Sequence, residues 1–113
     1  MSDVVRIDPH SPLSPDPDHP EAHLVVPFQG ADPRLEAGIW AADAGAHDID
    51  SYPVDEVCVV VAGTITITTV DRVEEFGPGT AFGVRRGSAL RWEQSDGTRK
   101  VFVTLECAEV VSR

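Results

Sequence analysis

Basic residues are scarce in this chain of 113 residues, which has nine Lys and Arg against nineteen Asp and Glu. The net charge at neutral pH is −10 and the isoelectric point is about 4.6. A nucleic-acid-binding protein needs a basic surface to neutralise phosphates, and an anionic membrane attracts the same kind of surface. We therefore expect neither nucleic acid nor a membrane as a partner.

Long apolar segments are also missing, and none approaches the length of a membrane span. The first residues show no basic segment followed by an apolar one, so we expect no signal peptide and a cytoplasmic location. The chain has only two cysteines, Cys58 and Cys107, and both fall in predicted strands. We expect both to be reduced core residues, with a disulfide between them as the alternative.

No segment shows a helical pattern, and no phosphate-binding glycine loop, nucleophile elbow or paired-cysteine motif is present. Instead, residues 64–70 alternate between polar and apolar side chains, as in a strand with one buried face. Residues 55–62 are apolar on both faces, which is typical of a central strand. Turns are expected at Gly63, at residues 77–79 and at Gly87, and residues 44–51 read as a polar loop carrying His47. Many short strands of this spacing predict an all-β sandwich or barrel.

The N-terminal segment, residues 1–23, is rich in proline and histidine. It contains five of the nine prolines of the chain and three of its four histidines, which are His10, His19 and His23. Because such a density of proline serves neither helices nor sheets well, we expect an extended arm. The arm is either a solvated tail, a strand exchanged with a partner subunit, or a segment that folds over the domain and supplies a ligand.

Two spaced groups of residues resemble the motifs of the cupin superfamily. The first group has Glu56 followed by Gly63, and the second has Gly79 and Gly87, with Arg85 where the family has proline. Residues 38–40, 52–58, 75–79, 91–93 and 99–101 further resemble the branch that includes ureidoglycine aminohydrolase and the ethanolamine-utilisation cupins. This resemblance implies one small jelly-roll barrel, residues 24–113, preceded by the extended Pro-rich arm, residues 1–23.

The resemblance breaks down at the positions of the family's metal ligands. Metal-binding cupins carry two His before the motif Glu and a third in the second motif, which correspond here to Asp50, Tyr52 and Leu90. A divalent transition metal wants imidazole, thiolate or carboxylate donors that converge on one point, and only Glu56 and Asp50 remain. We expect no metal and no other cofactor; the alternative is a non-standard site that uses His47 or a histidine of the arm.

The candidate site is built around Glu56, which the resemblance directs into the barrel. Strand alternation places Cys58 on the same face, and Tyr52 and Asp50 are expected to join them. A carboxylate in an apolar strand is either a general acid or base with a shifted pKa, or part of an ion pair with Lys100 or an Arg. The predicted catalytic residues are Glu56 and Tyr52, and the predicted ligand-binding residues are Asp50, Trp40, Trp92 and Lys100.

The function predicted from these residues is binding of a small polar metabolite in a metal-free barrel pocket. If the protein is an enzyme, Glu56 would act as acid or base on a small nitrogenous or carboxylate compound. The alternatives are a non-catalytic binding or sensing module, and a structural dimer whose pocket is filled by side chains such as Leu90. A homodimer is expected in each case, because single cupin barrels commonly pair.

Overall fold

The computed structural model describes residues 3–107, which form ten β-strands and no helix. The strands are β1 (Ser14–Asp16), β2 (His19–Gln29), β3 (Leu35–Ala42), β4 (Gly45–Ile49), β5 (Val54–Ala62), β6 (Ile65–Thr68), β7 (Val73–Phe76), β8 (Ala81–Val84), β9 (Leu90–Gln94) and β10 (Thr98–Glu106). The all-β prediction is therefore confirmed. Between residues 3 and 107, the structure contains no helix that could cross a membrane.

The strands form two antiparallel sheets. The larger sheet has six strands in the order β1-β2-β3-β10-β5-β8, and the smaller has four in the order β4-β9-β6-β7. Strand β5 lies between β10 and β8, as its apolar character on both faces predicts. Strand β10 brings the end of the described chain back between β3 and β5, so that distant parts of the sequence meet at the middle of the sheet.

The core lies between the two sheets. Side chains alternate along β9, so that Leu90 and Trp92 are buried and Arg91 and Glu93 are exposed, as expected from strand parity. The buried cluster consists of Tyr52, Cys58, Val60, Ile65, Val84, Leu90 and Trp92. Burial of these apolar groups is the main force that holds the sheets together.

Gly63 makes the tight turn between β5 and β6. Its φ is +73°, a conformation that residues with a Cβ rarely adopt. A Cβ at this position would also lie 2.4 Å from the Thr98 Oγ1 atom. Both the predicted turn and the need for glycine in it are therefore confirmed.

Two predictions about irregular segments are wrong. Residues 44–51 were expected to form a loop, but Gly45–Ile49 is the edge strand β4, paired with β9. Its side chains are mostly exposed, so the segment has no apolar face that would reveal a strand. The segment 1–23 also contains β1 and the start of β2, and the expected boundary at residues 23 and 24 falls inside β2. Pro15 is accommodated because β1 is an edge strand.

The first part of the arm lies against the outer face of the larger sheet. The Arg99 guanidinium on β10 donates hydrogen bonds to the carbonyl oxygens of Pro9 and Ser11, at 3.0 and 3.2 Å. These bonds hold the segment against the strand and leave it less free than a solvated tail. Cys58 is buried as expected, but Cys107 is exposed and the two cysteines form no disulfide, so the core assignment of Cys107 is wrong.

Candidate functional site

Three polar side chains meet around the Glu56 carboxylate inside the barrel. The Tyr52 hydroxyl donates to Glu56 Oε1 at 2.6 Å. The Lys100 ammonium and the Cys58 thiol both donate to Glu56 Oε2, at 2.6 and 3.3 Å. The ammonium also lies 3.4 Å from the Cys58 sulfur. The side chains of Lys100 and Glu56 are only 6% and 8% exposed, so this is a buried ion pair with two further donors.

The strand register explains why these residues meet. Lys100 on β10 lies opposite Val60 on β5, and Glu56 lies four residues before Val60 on the same face of β5. The two long side chains therefore extend toward each other and meet beside Cys58, which lies between them on β5. Tyr52 precedes β5, and its backbone exchanges hydrogen bonds with Gly87 and Ser88, which fix the position of the ring.

Burial, charge and hydrogen bonding in this cluster determine which of its groups carry a proton. Burial raises the pKa of Glu56, but the charge of Lys100 and the hydrogen bonds from Lys100, Tyr52 and Cys58 together outweigh burial and lower it. Burial and the neighbouring carboxylate raise the pKa of the Tyr52 hydroxyl. Burial also raises the pKa of the Cys58 thiol to about 12, although the charge of Lys100 opposes this. Near neutral pH, Glu56 is therefore ionised and both Tyr52 and Cys58 keep their protons.

The cluster forms the floor of a cavity between the sheets with a volume of about 340 Å³, which is within the range of small-molecule sites. The walls are mostly apolar and the mouth is polar. The lining residues are Leu24, Trp40, Ile49, Trp92 and Phe102 in the walls, Tyr52, Glu56, Lys100 and Thr104 in the floor, and His19, Glu21 and His47 at the mouth.

The aromatic walls of the cavity surround the ammonium of Lys100. Its nitrogen lies 4.6 Å from the ring centroid of Trp92, 4.9 Å from that of Trp40 and 5.9 Å from that of Phe102. The two indoles meet edge to face, with centroids 6.1 Å apart. These distances are in the range of cation–π contacts, which stabilise the charge of Lys100 inside the barrel.

A second, wider opening lies on the other side of Glu56. It has a volume of about 930 Å³ and opens between β8 and the β6–β7 hairpin. Its rim carries exposed charged residues such as Arg72 and Glu74, and Glu56 borders it as well. We regard the smaller cavity as the candidate site, because the buried ammonium and both indoles face it.

The structure brings together five of the six residues predicted for the site. Glu56, Tyr52, Trp40, Trp92 and Lys100 all line the smaller cavity. The sixth, Asp50, is exposed and is not among the lining residues. Asp50 lies in the bend after β4, and the inward–outward alternation of side chains along β5 does not continue through that bend.

Sequence reasoning did not assign Glu21 or Thr104 to the site. Glu21 Oε2 lies 3.5 Å from His47 Nε2 and 4.0 Å from His19 Nδ1 at the mouth of the cavity. No local sequence signal marks Glu21, because it lies in the segment expected to be an extended arm. Thr104 lies directly opposite Glu56 in the β10–β5 register. It lies on the same face of β10 as Lys100, so strand alternation counted from Lys100 could have placed it in the site.

A family model for the EutQ-like cupin domain matches residues 29–102, which is more than half of the chain. The chain belongs to the EutQ-like cupin domain family. The matched region contains the whole Glu56 cluster and ends at Phe102, within β10. No curated protein matches the chain by sequence.

Solved structures support the cupin fold. The Clostridium difficile EutQ protein is 23% identical, with a TM-score of 0.65 over 80% of this chain and 74% of that one. A putative ethanolamine utilization protein Q from Salmonella typhimurium LT2 is 16% identical, with a TM-score of 0.65 over 81% and 74% of the two chains. The Cnp3 cupin domain of Schizosaccharomyces pombe is 16% identical, with a TM-score of 0.66 over 88% and 71%. Identities this low show the fold alone. The similarity of the structures confirms the predicted jelly-roll cupin barrel.

The residues of this cupin domain do not fit the family's divalent metal. At the three positions expected to carry His, Asp50 is exposed, Tyr52 is bonded to Glu56, and Leu90 is buried and apolar. The Lys100 ammonium contacts the carboxylate oxygen that a metal ion would need, and its charge would repel one. Across residues 3–107, the structure has no group of three or more His, Cys, Asp or Glu side chains placed to hold a metal.

Proposed function

We propose that this cupin domain binds a small molecule in the 340 Å³ cavity above the Glu56–Lys100 pair, without a metal. The observation that carries the proposal is the placement of a buried ion pair at the floor of a cavity whose walls are mostly apolar. Burying two charges is unfavourable unless their geometry is very good, and the same volume could be filled by apolar side chains. A few polar groups at the base of aromatic walls are the usual design of a small-molecule site.

The geometry of the site supports a ligand-binding role better than it supports a role for Glu56 in acid–base catalysis. A general base needs an accessible carboxylate with a pKa near the working pH. Here the pKa of Glu56 is lowered, and three donors already contact its two oxygens. Tyr52 holds its proton in a hydrogen bond to Glu56, and its raised pKa makes it a weak acid. The predicted catalytic roles of Glu56 and Tyr52 therefore stay predictions, and we propose that both residues bind and orient.

The size of the cavity also favours binding over a purely structural role. A barrel filled by its own side chains would leave no room for a ligand. Leu90 is buried in the core cluster and borders the wider opening, whereas the smaller cavity retains the volume of a small-molecule site.

The two tryptophans give a direct test of ligand binding. Trp40 and Trp92 are the only tryptophans of the chain and both line the cavity. A library of fragment-sized compounds is added to ¹⁵N-labelled protein while the two indole N–H signals are followed. Fragments that bind here shift both signals, and the shifts are saturable.

A matched control separates the two openings. Phe76 lines the wider opening, is absent from the walls of the smaller cavity, and stacks on Phe82. The variant Phe76→Leu should leave fragment affinity unchanged, whereas Trp40→Leu should weaken it. A library that moves neither indole signal, or binding that depends on Phe76 and not on Trp40, contradicts the proposed site.

The expected homodimer also stays a prediction. The outer face of β5 and β10 exposes apolar side chains that a second subunit could cover, namely Val57, Val59, Val103 and Leu105. Size-exclusion chromatography with light scattering tests it, and a clean monomer at micromolar concentration would refute it.

A further inference from the structure

The polar groups of the cavity floor differ in how many of their hydrogen-bond donor and acceptor positions already have partners in the protein. A lysine ammonium has three N–H donors. Among residues 3–107, the structure gives the Lys100 ammonium two acceptors, Glu56 Oε2 and the weakly accepting Cys58 sulfur. The remaining donor faces the indoles of Trp40 and Trp92, whose ring faces are poor substitutes for an oxygen. Lys100 thus has donor capacity left for a molecule in the cavity.

Glu56 is in the opposite situation, because its oxygens already accept from Tyr52, Lys100 and Cys58. A ligand donor at the floor would have to compete with three groups of the protein. The Thr104 hydroxyl lines the same floor, and the structure, which describes residues 3–107, gives it no hydrogen-bond partner. The floor therefore favours a ligand that presents an acceptor to Lys100, with a second polar atom in reach of Thr104.

The charges around the cavity select against charged ligands. A cation would have to lie beside the Lys100 ammonium, which already occupies the space among the aromatic rings. An anion would meet a floor whose ammonium is already neutralised by Glu56, and a second carboxylate, Glu21, at the mouth. Apart from the two His at the mouth, the charged lining residues are two carboxylates and one ammonium. Moving either kind of ion out of water into this cavity is unfavourable.

The walls complete the description of the ligand. Trp40 and Trp92 line the cavity at 83° to each other, and Tyr52 stacks on Trp92 with their planes 21° apart, so aromatic rings give the cavity apolar walls. A planar ring packs well against such surfaces. We infer that the ligand of this site is a neutral molecule with a flat apolar body and a carbonyl acceptor, such as an aryl amide or ketone, that accepts a hydrogen bond from Lys100. This inference rests on the proposed function and specifies its ligand class.

Three probes of matching shape test the charge selection. Phenylacetamide, phenylacetate and phenethylamine share the ring and differ in their head group, which is neutral, anionic or cationic at neutral pH. Their affinities are measured from the indole N–H shifts of Trp40 and Trp92. Phenylacetamide should bind about tenfold or more tighter than either charged probe, as expected for one good hydrogen bond without the desolvation of an ion.

Variants at the floor test the role of Lys100. Lys100→Met should lower the affinity for phenylacetamide about tenfold, because it removes the donor and keeps most of the volume. If this variant does not fold, Lys100→Met/Glu56→Gln removes both buried charges and should show the same loss. Arg91→Met, on the outer face of β9, is the matched control and should leave the affinity unchanged.

Two kinds of failure are distinguishable. If phenylacetate or phenethylamine binds as tightly as phenylacetamide, or if the amide binds equally well without Lys100, the ligand class is wrong and the cavity still binds ligands. If none of the three probes moves either indole signal, the ligand class is overturned, and the fragment library then decides whether the proposed function falls with it.

Discussion

Replacement of Lys100 by methionine should invert the way in which protein stability depends on pH. Lys100 is the only lysine of the chain. Among residues 3–107, its ammonium is the only positive charge within hydrogen-bond distance of the buried Glu56 carboxylate. Removing one partner of a buried ion pair typically destabilises a protein by about 3–5 kcal/mol. Because Tyr52 and Cys58 still donate to Glu56, we expect the lower end, about 3 kcal/mol at pH 7.

The sign of the pH dependence follows from Glu56. In the native protein its folded pKa lies below the ordinary value of 4.5, so the stabilisation is present above pH 4.5 and is lost as the pH falls through the folded pKa. Without Lys100, we expect burial, the largest single influence on this group, to raise the folded pKa of Glu56 above 4.5. The variant should then be most stable at or below that pH, and it should lose stability as the pH rises toward neutrality.

Urea unfolding followed by tryptophan fluorescence at several pH values between 4 and 7 measures both effects. Arg91→Met is the control, because it breaks an exposed ion pair with Asp48 and should change neither the stability at pH 7 nor its pH dependence measurably. A Lys100→Met variant that is within about 1 kcal/mol of the native protein at pH 7, with the same pH slope, would refute the ion-pair account.

Three further predictions concern the same barrel. Tyr52→Phe removes the donor to Glu56 Oε1, so it should destabilise by about 1.5–3 kcal/mol in urea unfolding and move the acid-unfolding midpoint to higher pH; an unchanged midpoint contradicts this. Because the pKa of Cys58 is raised from 9.0 to about 12, stability should fall as the pH rises above 9, and Cys58→Ala should make this fall shallower in alkaline denaturation. Gly63→Ala should destabilise by about 1–3 kcal/mol because its φ is positive, whereas Gly77→Ala, which has open space around it, should be nearly neutral; equal effects of the two would contradict the turn assignment.

The sequence predicts the middle of this barrel well. Strands with strict period-two alternation keep their inward and outward faces whatever their neighbours are, so Glu56, Leu90 and Trp92 could be placed inside from parity and motif spacing alone. The ion pair between Glu56 and Lys100 was one of two readings of a carboxylate in an apolar strand. Choosing it required the β10–β5 register, which joins residues 44 positions apart.

Edge strands and bends were not predictable in the same way. Strand β4 has mostly exposed side chains, and its strand conformation comes from pairing with β9, which no local pattern records. Asp50 follows β4 in a bend where alternation is interrupted, so its exposure could not be derived by counting from Glu56. Glu21 reaches the mouth of the cavity because β2 pairs with β3 and brings it near His47, another long-range effect.

The central claim is that a fixed ammonium inside the barrel, bonded to Glu56, is the group that contacts the ligand. The most direct measurement is the ¹⁵N NMR signal of that ammonium, which is easily assigned because the chain has one lysine. The account predicts one slowly exchanging ammonium signal at neutral pH that is lost or strongly shifted in Glu56→Gln and moves on addition of phenylacetamide. A fast-exchanging lysine signal that responds to neither change would contradict the account.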